Sequence, residues 1–106
     1  MTLALEIRDG VAELLLDHPP VNALDSAGWS KLAETLTSLG RGGEARAVVL
    51  GAKGRGFCAG VDIKELAADS SRITRVTRAC FDAFAAAHDC PVPVIAACHG
   101  FVLGGG

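Results

Sequence analysis

The sequence lacks long apolar runs, a basic stripe and a basic leader segment. Its longest apolar stretches, such as residues 92–98, are far shorter than the roughly 20 residues that cross a bilayer, so we expect no membrane partner. A net charge of −2 without a basic stripe disfavours nucleic acid as a partner. Because residues 1–6 hold no basic segment ahead of an apolar one, we expect no signal peptide and a cytoplasmic protein.

The cysteines lack the spacing of a metal or redox site. None of the four forms a C-x-x-C pair, so we expect no metal ion. Each lies among apolar neighbours, which predicts reduced, buried side chains that pack as small hydrophobes. These residues are Cys58, Cys80, Cys90 and Cys98.

The length and composition predict one modest folded unit. The chain has 106 residues, of which 50% are hydrophobic. That fraction is enough for a core and argues against disorder. We therefore treat residues 1–106 as a single domain or part of one.

The first part of the chain predicts a β-hairpin. Residues 3–7 and 11–16 read as two strands, and Asp9-Gly10 between them is a strong hairpin turn signal. The prolines that follow Asp17 cannot extend a ladder and end the second strand.

The next segments predict a helix and a strand. Asp25 or Ser26 caps the helix, and Gly40 is expected to end it. Residues 45–50 form a short apolar run typical of a strand. The apolar face of the helix contains Trp29, Leu32, Ala33, Leu36 and Leu39.

The second half predicts two helices and a strand, which makes the chain an α/β protein. We expect a short helix over about 62–68, a longer one over about 71–88, and a buried strand over 94–98. The residues predicted on the buried side of the longer helix are Ile73, Val76, Cys80, Phe81 and Phe84.

Two glycine-bearing turns mark where strands give way to helices. They cover residues 54–65 and residues 100–106. Such turns leave backbone N–H groups unpaired, and two N–H groups aimed at one spot make an oxyanion hole. Taken singly, each pattern also fits a plain capped turn or a flexible loop.

Three motifs together resemble the enoyl-CoA hydratase/isomerase family, the crotonase superfamily. Residues 18–24 are similar to the turn with proline and Asn-Ala that follows the family's second strand. Residues 57–65 resemble its F-x-A-G-x-D-[IL]-x-E stretch, and residues 93–106 its P-V-I-A-x-x-x-G-x-x-x-G-G-G stretch. The resemblance implies the N-terminal portion of a crotonase-type spiral of β-β-α units, truncated after the second motif.

The resemblance also implies an acyl-CoA site. The N–H groups of Val61 and Gly105 would hold the thioester carbonyl and stabilise an enolate. The backbone around Ala59, Val61 and Ile63 would line the adenine pocket. Arg55 would either lie near the CoA phosphates or be a solvated loop residue. Coenzyme A is then part of the substrate, and no separate cofactor is expected.

The residues expected to move protons differ from the family pattern. Two glutamates that do this work in hydratases lie beyond Gly106, so residues 1–106 are expected to be inactive alone. Asp62 is either a helix cap or a catalytic group, and its spacing to Glu65 is that of a capping box. For His18, His88 and His99 we expect structural roles.

Three functions remain open on the sequence. The first is an enoyl-CoA hydratase or isomerase. The second is implied by a resemblance to one branch of the family, carried by residues 19–23, 54–57 and 60–65 and by Cys80-Phe81-x-x-Phe84. That branch uses water to hydrolyse a C–C bond in a cyclic-ketone CoA thioester from steroid ring breakdown, and Asp62 then becomes catalytic. The third is a non-catalytic CoA-binding or assembly subunit. The resemblance implies a homotrimer or hexamer of the complete protein, or a second chain that supplies the remaining half.

Overall fold

The computed structural model describes residues 2–106 and consists of two small sheets with three helices. The larger sheet has the strand order β1-β2-β4-β6, and the smaller pairs β3 with β5. The strands are β1 (Thr2–Arg8), β2 (Val11–Asp17), β3 (Ala23–Leu24), β4 (Ala47–Ala52), β5 (Gly60–Val61) and β6 (Val94–Ala96). The helices are α1 (Ser26–Gly42), α2 (Ile63–Ala68) and α3 (Ile73–His88), with a 3₁₀ turn at Ser70–Arg72 before α3.

The predicted hairpin is confirmed. Strands β1 and β2 are antiparallel, and Arg8 pairs with Val11 across a two-residue turn. Asp9 and Gly10 have φ of 53° and 81°, as a type I′ turn requires at both central positions. Strand β2 then pairs in parallel with β4, and β4 with β6, so the α/β class is also confirmed.

Helix α1 begins as predicted but ends later. The Asp25 carboxylate accepts a hydrogen bond of 2.8 Å from the Gly28 N–H, which caps the first turn. The prediction that Gly40 ends the helix is wrong, because the helix continues to Gly42 and Gly43 takes the left-handed φ of 77°. Gly40 instead makes room for a neighbour, since a Cβ there would lie 2.7 Å from the Pro91 side chain.

The prediction for the buried side of helix α3 is confirmed for Val76 but wrong for Ile73 and Phe81. Its buried residues are Val76, Ala79 and Ala83, whereas Phe81 is 60% and Ile73 58% exposed. Small side chains at the contact let α3 approach α1 closely, which turns the larger apolar residues outward. Phe84 is half exposed and Cys80 half buried.

The last strand is shorter and more exposed than predicted. The pattern predicts a buried strand over 94–98, but β6 ends at Ala96 and has β4 as its one partner. Its position at the sheet edge leaves Ile95 50% exposed. The core lies between the larger sheet and the helices, and its largest fully buried side chains are Leu14, Leu16, Leu24, Leu36, Val48 and Cys58. Within residues 2–106, no helix combines the length and apolar character needed to cross a membrane.

Candidate functional site

Two strand–cap–helix units lie side by side and form the framework of the site. Strand β3 leads through Asp25 into α1, and β5 leads through Asp62 into α2. The two strands are parallel, with Leu24 opposite Val61. Consequently the two helix N-termini begin next to each other.

Asn22 joins the turn before β3 to the glycine loop before β5. Its side-chain amide donates to the carbonyl oxygens of Lys53 at 2.8 Å and Gly56 at 3.0 Å, and its Oδ1 accepts from the His18 N–H at 2.7 Å. The residue is 3% exposed and has a φ of 54°, a conformation that asparagine tolerates better than most residues. One side chain therefore connects the first two motifs of the sequence.

The segment that leads into β5 lies between β3 and the last glycine-bearing turn. The Ala59 N–H donates to the Val21 carbonyl at 3.1 Å, while on the other edge the Cys58 carbonyl accepts from the Leu103 N–H at 3.1 Å. The Asp62 N–H donates to the Leu24 carbonyl at 2.8 Å. Neighbouring N–H groups within a strand point to opposite edges, and the Asp62 N–H points to β3, so the N–H of Val61 is expected to point away from β3.

The glycine triplet reaches the same place from the other side. A Cβ on Gly60, which has a φ of 100°, would lie 2.8 Å from the Leu103 carbonyl oxygen and 3.3 Å from the Gly105 nitrogen. The two glycine turns are thus in backbone contact. Within residues 2–106, the Gly105 N–H makes no backbone hydrogen bond, whereas the Gly106 N–H donates to the Leu103 carbonyl at 2.8 Å.

Side chains from two helices form a wall behind Gly105. A Cβ at this position would lie 3.0 Å from the ring of Trp29 and 3.3 Å from the sulfur of Cys80. Trp29 is 2% exposed, and its ring meets that of Phe84 in an edge-to-face arrangement with the centroids 5.9 Å apart. A side chain at Gly105 would therefore press against this wall, and Trp29 or Cys80 would have to give way by a few tenths of an ångström.

A cavity of about 410 Å³ lies along one side of the β3–β5 pair. It is lined by three of the residues predicted to contact coenzyme A, namely Ala59, Val61 and Ile63. Arg55 lies outside it, on the exposed loop before Gly56. The structure therefore brings three of the four predicted CoA contacts together.

A second cavity, of about 380 Å³, lies on the other side and is mostly apolar. Gly105 borders it together with Trp29, Phe57 and Phe84. The two N–H groups predicted to act together thus come from turns in backbone contact, while their residues border different cavities.

Asp62 and Glu65 do not form the predicted capping box. Asp62 caps α2 by accepting from the Lys64 N–H at 3.0 Å. Its own N–H, which a capping box would offer to Glu65, is already bonded to Leu24. Glu65 instead accepts from the N–H and the hydroxyl of Ser26 at 2.8 and 2.7 Å. Its carboxylate therefore reaches the first turn of the neighbouring helix.

The histidines make different contacts. His99 Nε2 lies 2.9 Å from the Gly54 carbonyl, which links the strand end to the glycine loop. His18 borders the larger of the two cavities, and His88 the apolar one. Sequence reasoning did not place His18 or Lys64 at the cavity beside Val61; the pairing of β3 with β5 brings them there. That pairing follows from tertiary structure, so no local pattern signals it.

The cysteines are reduced in the structure, but only Cys58 is fully buried. The prediction that all four are buried is wrong for Cys98, which is exposed beyond the end of the edge strand. Burial raises the pKa of the Cys58 thiol, and its sulfur lies 3.0 Å from the Asn22 carbonyl. Among residues 2–106, no group of three or more His, Cys, Asp or Glu side chains is arranged to hold a metal ion.

This difference in burial predicts an order of thiol reactivity. In the folded protein, Cys98 is expected to react with iodoacetamide about 100-fold faster than Cys58, which reacts only after local opening and as a thiol that resists ionisation. Mass spectrometry of tryptic peptides during a labelling time course measures both rates. If Cys58 and Cys98 react at the same rate in the native protein, and this rate equals the one measured in urea, the burial of Cys58 is contradicted.

Comparison with known proteins gives a consistent result. The sequence profile described as enoyl-CoA hydratase/isomerase matches residues 6–106. Two relatives named (7aS)-7a-methyl-1,5-dioxo-2,3,5,6,7,7a-hexahydro-1H-indene-carboxyl-CoA hydrolase, from Rhodococcus jostii and Mycobacterium tuberculosis, are 47% and 48% identical to the chain. Each alignment covers 92% of this chain, and 39% and 40% of the relatives.

Solved structures agree with the sequence matches. The crystal structure of an enoyl-CoA hydratase from Mycobacterium smegmatis aligns with a TM-score of 0.86 at 37% identity, over 92% of this chain and 40% of that one. This confirms the expected crotonase-type α/β fold. The chain spans about two fifths of the length of the curated relatives that it matches.

Proposed function

The chain belongs to the enoyl-CoA hydratase/isomerase family, and on that premise we propose that its two glycine turns form the part of an acyl-CoA site that holds the thioester carbonyl. The observation that carries the proposal is the backbone contact between Gly60 and Gly105. Two further features support it: the Val61 N–H is expected on the strand edge away from β3, and the Gly105 N–H makes no backbone hydrogen bond within residues 2–106.

In this proposal, the thioester oxygen accepts hydrogen bonds from the N–H groups of Val61 and Gly105. Negative charge develops on that oxygen when the thioester becomes an enolate, and fixed N–H dipoles stabilise the charge without reorganising. Loss of one such donor typically costs about 10²–10³ in rate. These donors belong to the backbone, so this part of the chemistry depends on conformation more than on side chains.

The coenzyme A end would lie in the cavity beside the β3–β5 pair. Ala59, Val61 and Ile63 line it, and the exposed Lys64 at its border can meet phosphate oxygens. Arg55, on the neighbouring exposed loop, is a further cation for the phosphates. This proposal gives no side chain of residues 1–106 the role of acid or base; Asp62 has such a role only in the second candidate function.

The test compares butyryl-CoA with free coenzyme A by heteronuclear NMR of the polypeptide of residues 1–106. Amide signals of Ala59 and Ile63 are expected to shift with both ligands, because both contain the adenine and the phosphates. Signals of Val61 and Gly105 are expected to shift further with butyryl-CoA, because only that ligand carries a thioester carbonyl. Equal shifts with the two ligands at Val61 and Gly105 would contradict the proposed carbonyl site.

A second candidate is hydrolysis of a C–C bond in a bicyclic ketone CoA thioester. The identity of 47% and 48% to two indene-carboxyl-CoA hydrolases favours it. Asp62 borders the cavity beside Val61, and only its Oδ1 is engaged, with the Lys64 N–H. The other carboxylate oxygen can therefore accept a proton from water that attacks a ring ketone.

The variant Asp62→Asn separates capping from catalysis, because asparagine caps a helix about as well as aspartate. If Asp62 is catalytic, D62N is expected to be as stable as the parent but unable to add water to a bicyclic diketone CoA thioester. Mass spectrometry of the thioester measures this addition. Addition of water that continues at the parent rate in D62N would exclude this role. Thioester-specific binding without turnover in the parent would instead indicate a non-catalytic acyl-CoA-binding chain.

A further inference from the structure

The first turn of helix α1 contacts both of the segments that carry the proposed N–H donors. At Ser26 it is bonded to Glu65, which belongs to the helix directly after Val61. One turn later, Trp29 lies against Gly105. No other helix of residues 2–106 combines a hydrogen bond to α2 with a ring against the triplet.

Two hydrogen bonds accepted by the Glu65 carboxylate attach α2 to the first turn of α1. The Glu65 side chain is 8% exposed, and its two oxygens accept from the N–H and the hydroxyl of Ser26. Arg72 lies 3.9 Å away and balances part of the charge. Helix α2 has six residues, none of which is buried, so apolar packing contributes little to its orientation.

The contact of Trp29 defines the position of Gly105 in a different way. The indole ring is rigid, 2% exposed and in edge-to-face contact with Phe84. It approaches so closely that a Cβ at Gly105 would lie 3.0 Å from two ring atoms. The ring therefore limits how far the glycine triplet can move towards the helices.

We propose that the first turn of α1 sets the directions of both N–H groups, with Glu65 and Trp29 as positioning residues for the thioester carbonyl. Glu65 holds α2, and through Asp62 it fixes the strand end at Val61. Trp29 fixes Gly105. The relevance to a thioester rests on the function proposed above, whereas the positioning itself is a property of the free protein.

The test follows the same amide signals in variants of the polypeptide of residues 1–106. Glu65→Gln is expected to shift the Val61 signal in the free protein and to abolish the difference between butyryl-CoA and coenzyme A there, with Gly105 unchanged. Trp29→Phe is expected to do the reverse. Glu34→Gln is the matched control, because it makes the same chemical change on an exposed part of α1 and is expected to move neither signal.

The remaining outcomes of this experiment also decide the proposal. If E65Q does not fold, Ser26→Ala replaces it, since this change removes the hydroxyl bond and keeps the N–H bond; a shift at Val61 without one at Gly105 is then the supporting result. Variants that leave the free-protein signals of Val61 and Gly105 unchanged, or that move both alike, would overturn the positioning role. If the parent protein shows no thioester-specific shift, the proposed function fails, while the free-protein signals still decide the positioning.

Discussion

Gly60→Ala is expected to lower the free energy of unfolding by about 3 kcal/mol and to remove any thioester-specific binding. Gly60 has a φ of 100°, which L side chains rarely adopt, and an added Cβ would lie 2.8 Å from the backbone carbonyl of Leu103. Since neither atom is the end of a flexible side chain, the two glycine turns must move apart. Urea denaturation measures the stability, and butyryl-CoA titration measures the binding.

Gly54→Ala is the matched control for this variant. Its φ of 93° is nearly the same, but a Cβ at Gly54 meets nothing within 4 Å. G54A should therefore lower the free energy of unfolding only by the conformational cost, about 1 kcal/mol, and should still bind butyryl-CoA. If G60A and G54A lose equal stability, the contact between the glycine turns contributes nothing, and the geometry proposed for the site is wrong.

Asn22→Asp is expected to destabilise the protein by about 3 kcal/mol near pH 7, more than a typical polar substitution. The amide nitrogen of Asn22 donates to the Lys53 and Gly56 carbonyl oxygens. A carboxylate there would face two acceptors while buried, which raises the pKa of the new side chain above its usual value. Stability of N22D is thus fullest below the ordinary aspartate pKa of about 3.9 and is lost as the pH rises through the raised value.

Denaturation of N22D and the parent at several pH values measures the difference. Asn22→Gly serves as a control: it keeps a residue suited to the φ of 54° and removes the side-chain bonds without adding a charge. N22G should lose stability by a similar amount at all pH values. A stability difference between N22D and the parent that does not change with pH would show that the carboxylate escapes the two carbonyl groups.

Local signals predicted those elements whose cause lies within a few residues. Asp9-Gly10 is sufficient to specify a two-residue hairpin turn, and Asp25 and Asp62 cap the helices that follow them. The end of α1 was less predictable, because several glycines follow in succession and only Gly43 takes the left-handed conformation. Residue type alone does not distinguish a glycine that ends a helix from one, such as Gly40, that makes room for a proline side chain.

The elements that differed from prediction depend on distant partners. Apolar periodicity on α3 suggested that its aromatic residues are buried, but the close contact with α1 selects Ala79 and Ala83 instead. The Asp62…Glu65 spacing is that of a capping box, yet the Asp62 N–H is bonded to a strand 38 residues earlier in the sequence, at Leu24. That partner became visible only once β3 and β5 were paired.

The proposed positions of the site followed a similar division. The motifs placed Val61 and Gly105 on separate glycine turns, and the structure brings those turns into contact through Gly60. Their roles as hydrogen-bond donors stay predictions. The chemical identity of Trp29, by contrast, gave no hint at the sequence level that its ring lies behind the triplet, because 76 residues separate it from Gly105.

The hydrogen bonds made by the Asn22 side chain have a consequence for how the site forms during folding. Its bonds to Lys53 and Gly56 span 31 and 34 residues, and the bond from Ser26 to Glu65 spans 39. Contacts this distant cannot form before the chain between them has collapsed, because closing such loops costs entropy that local structure does not repay. A short synthetic peptide containing residues 54–65 would therefore be unstructured, and the glycine loop acquires its shape only as the whole chain folds.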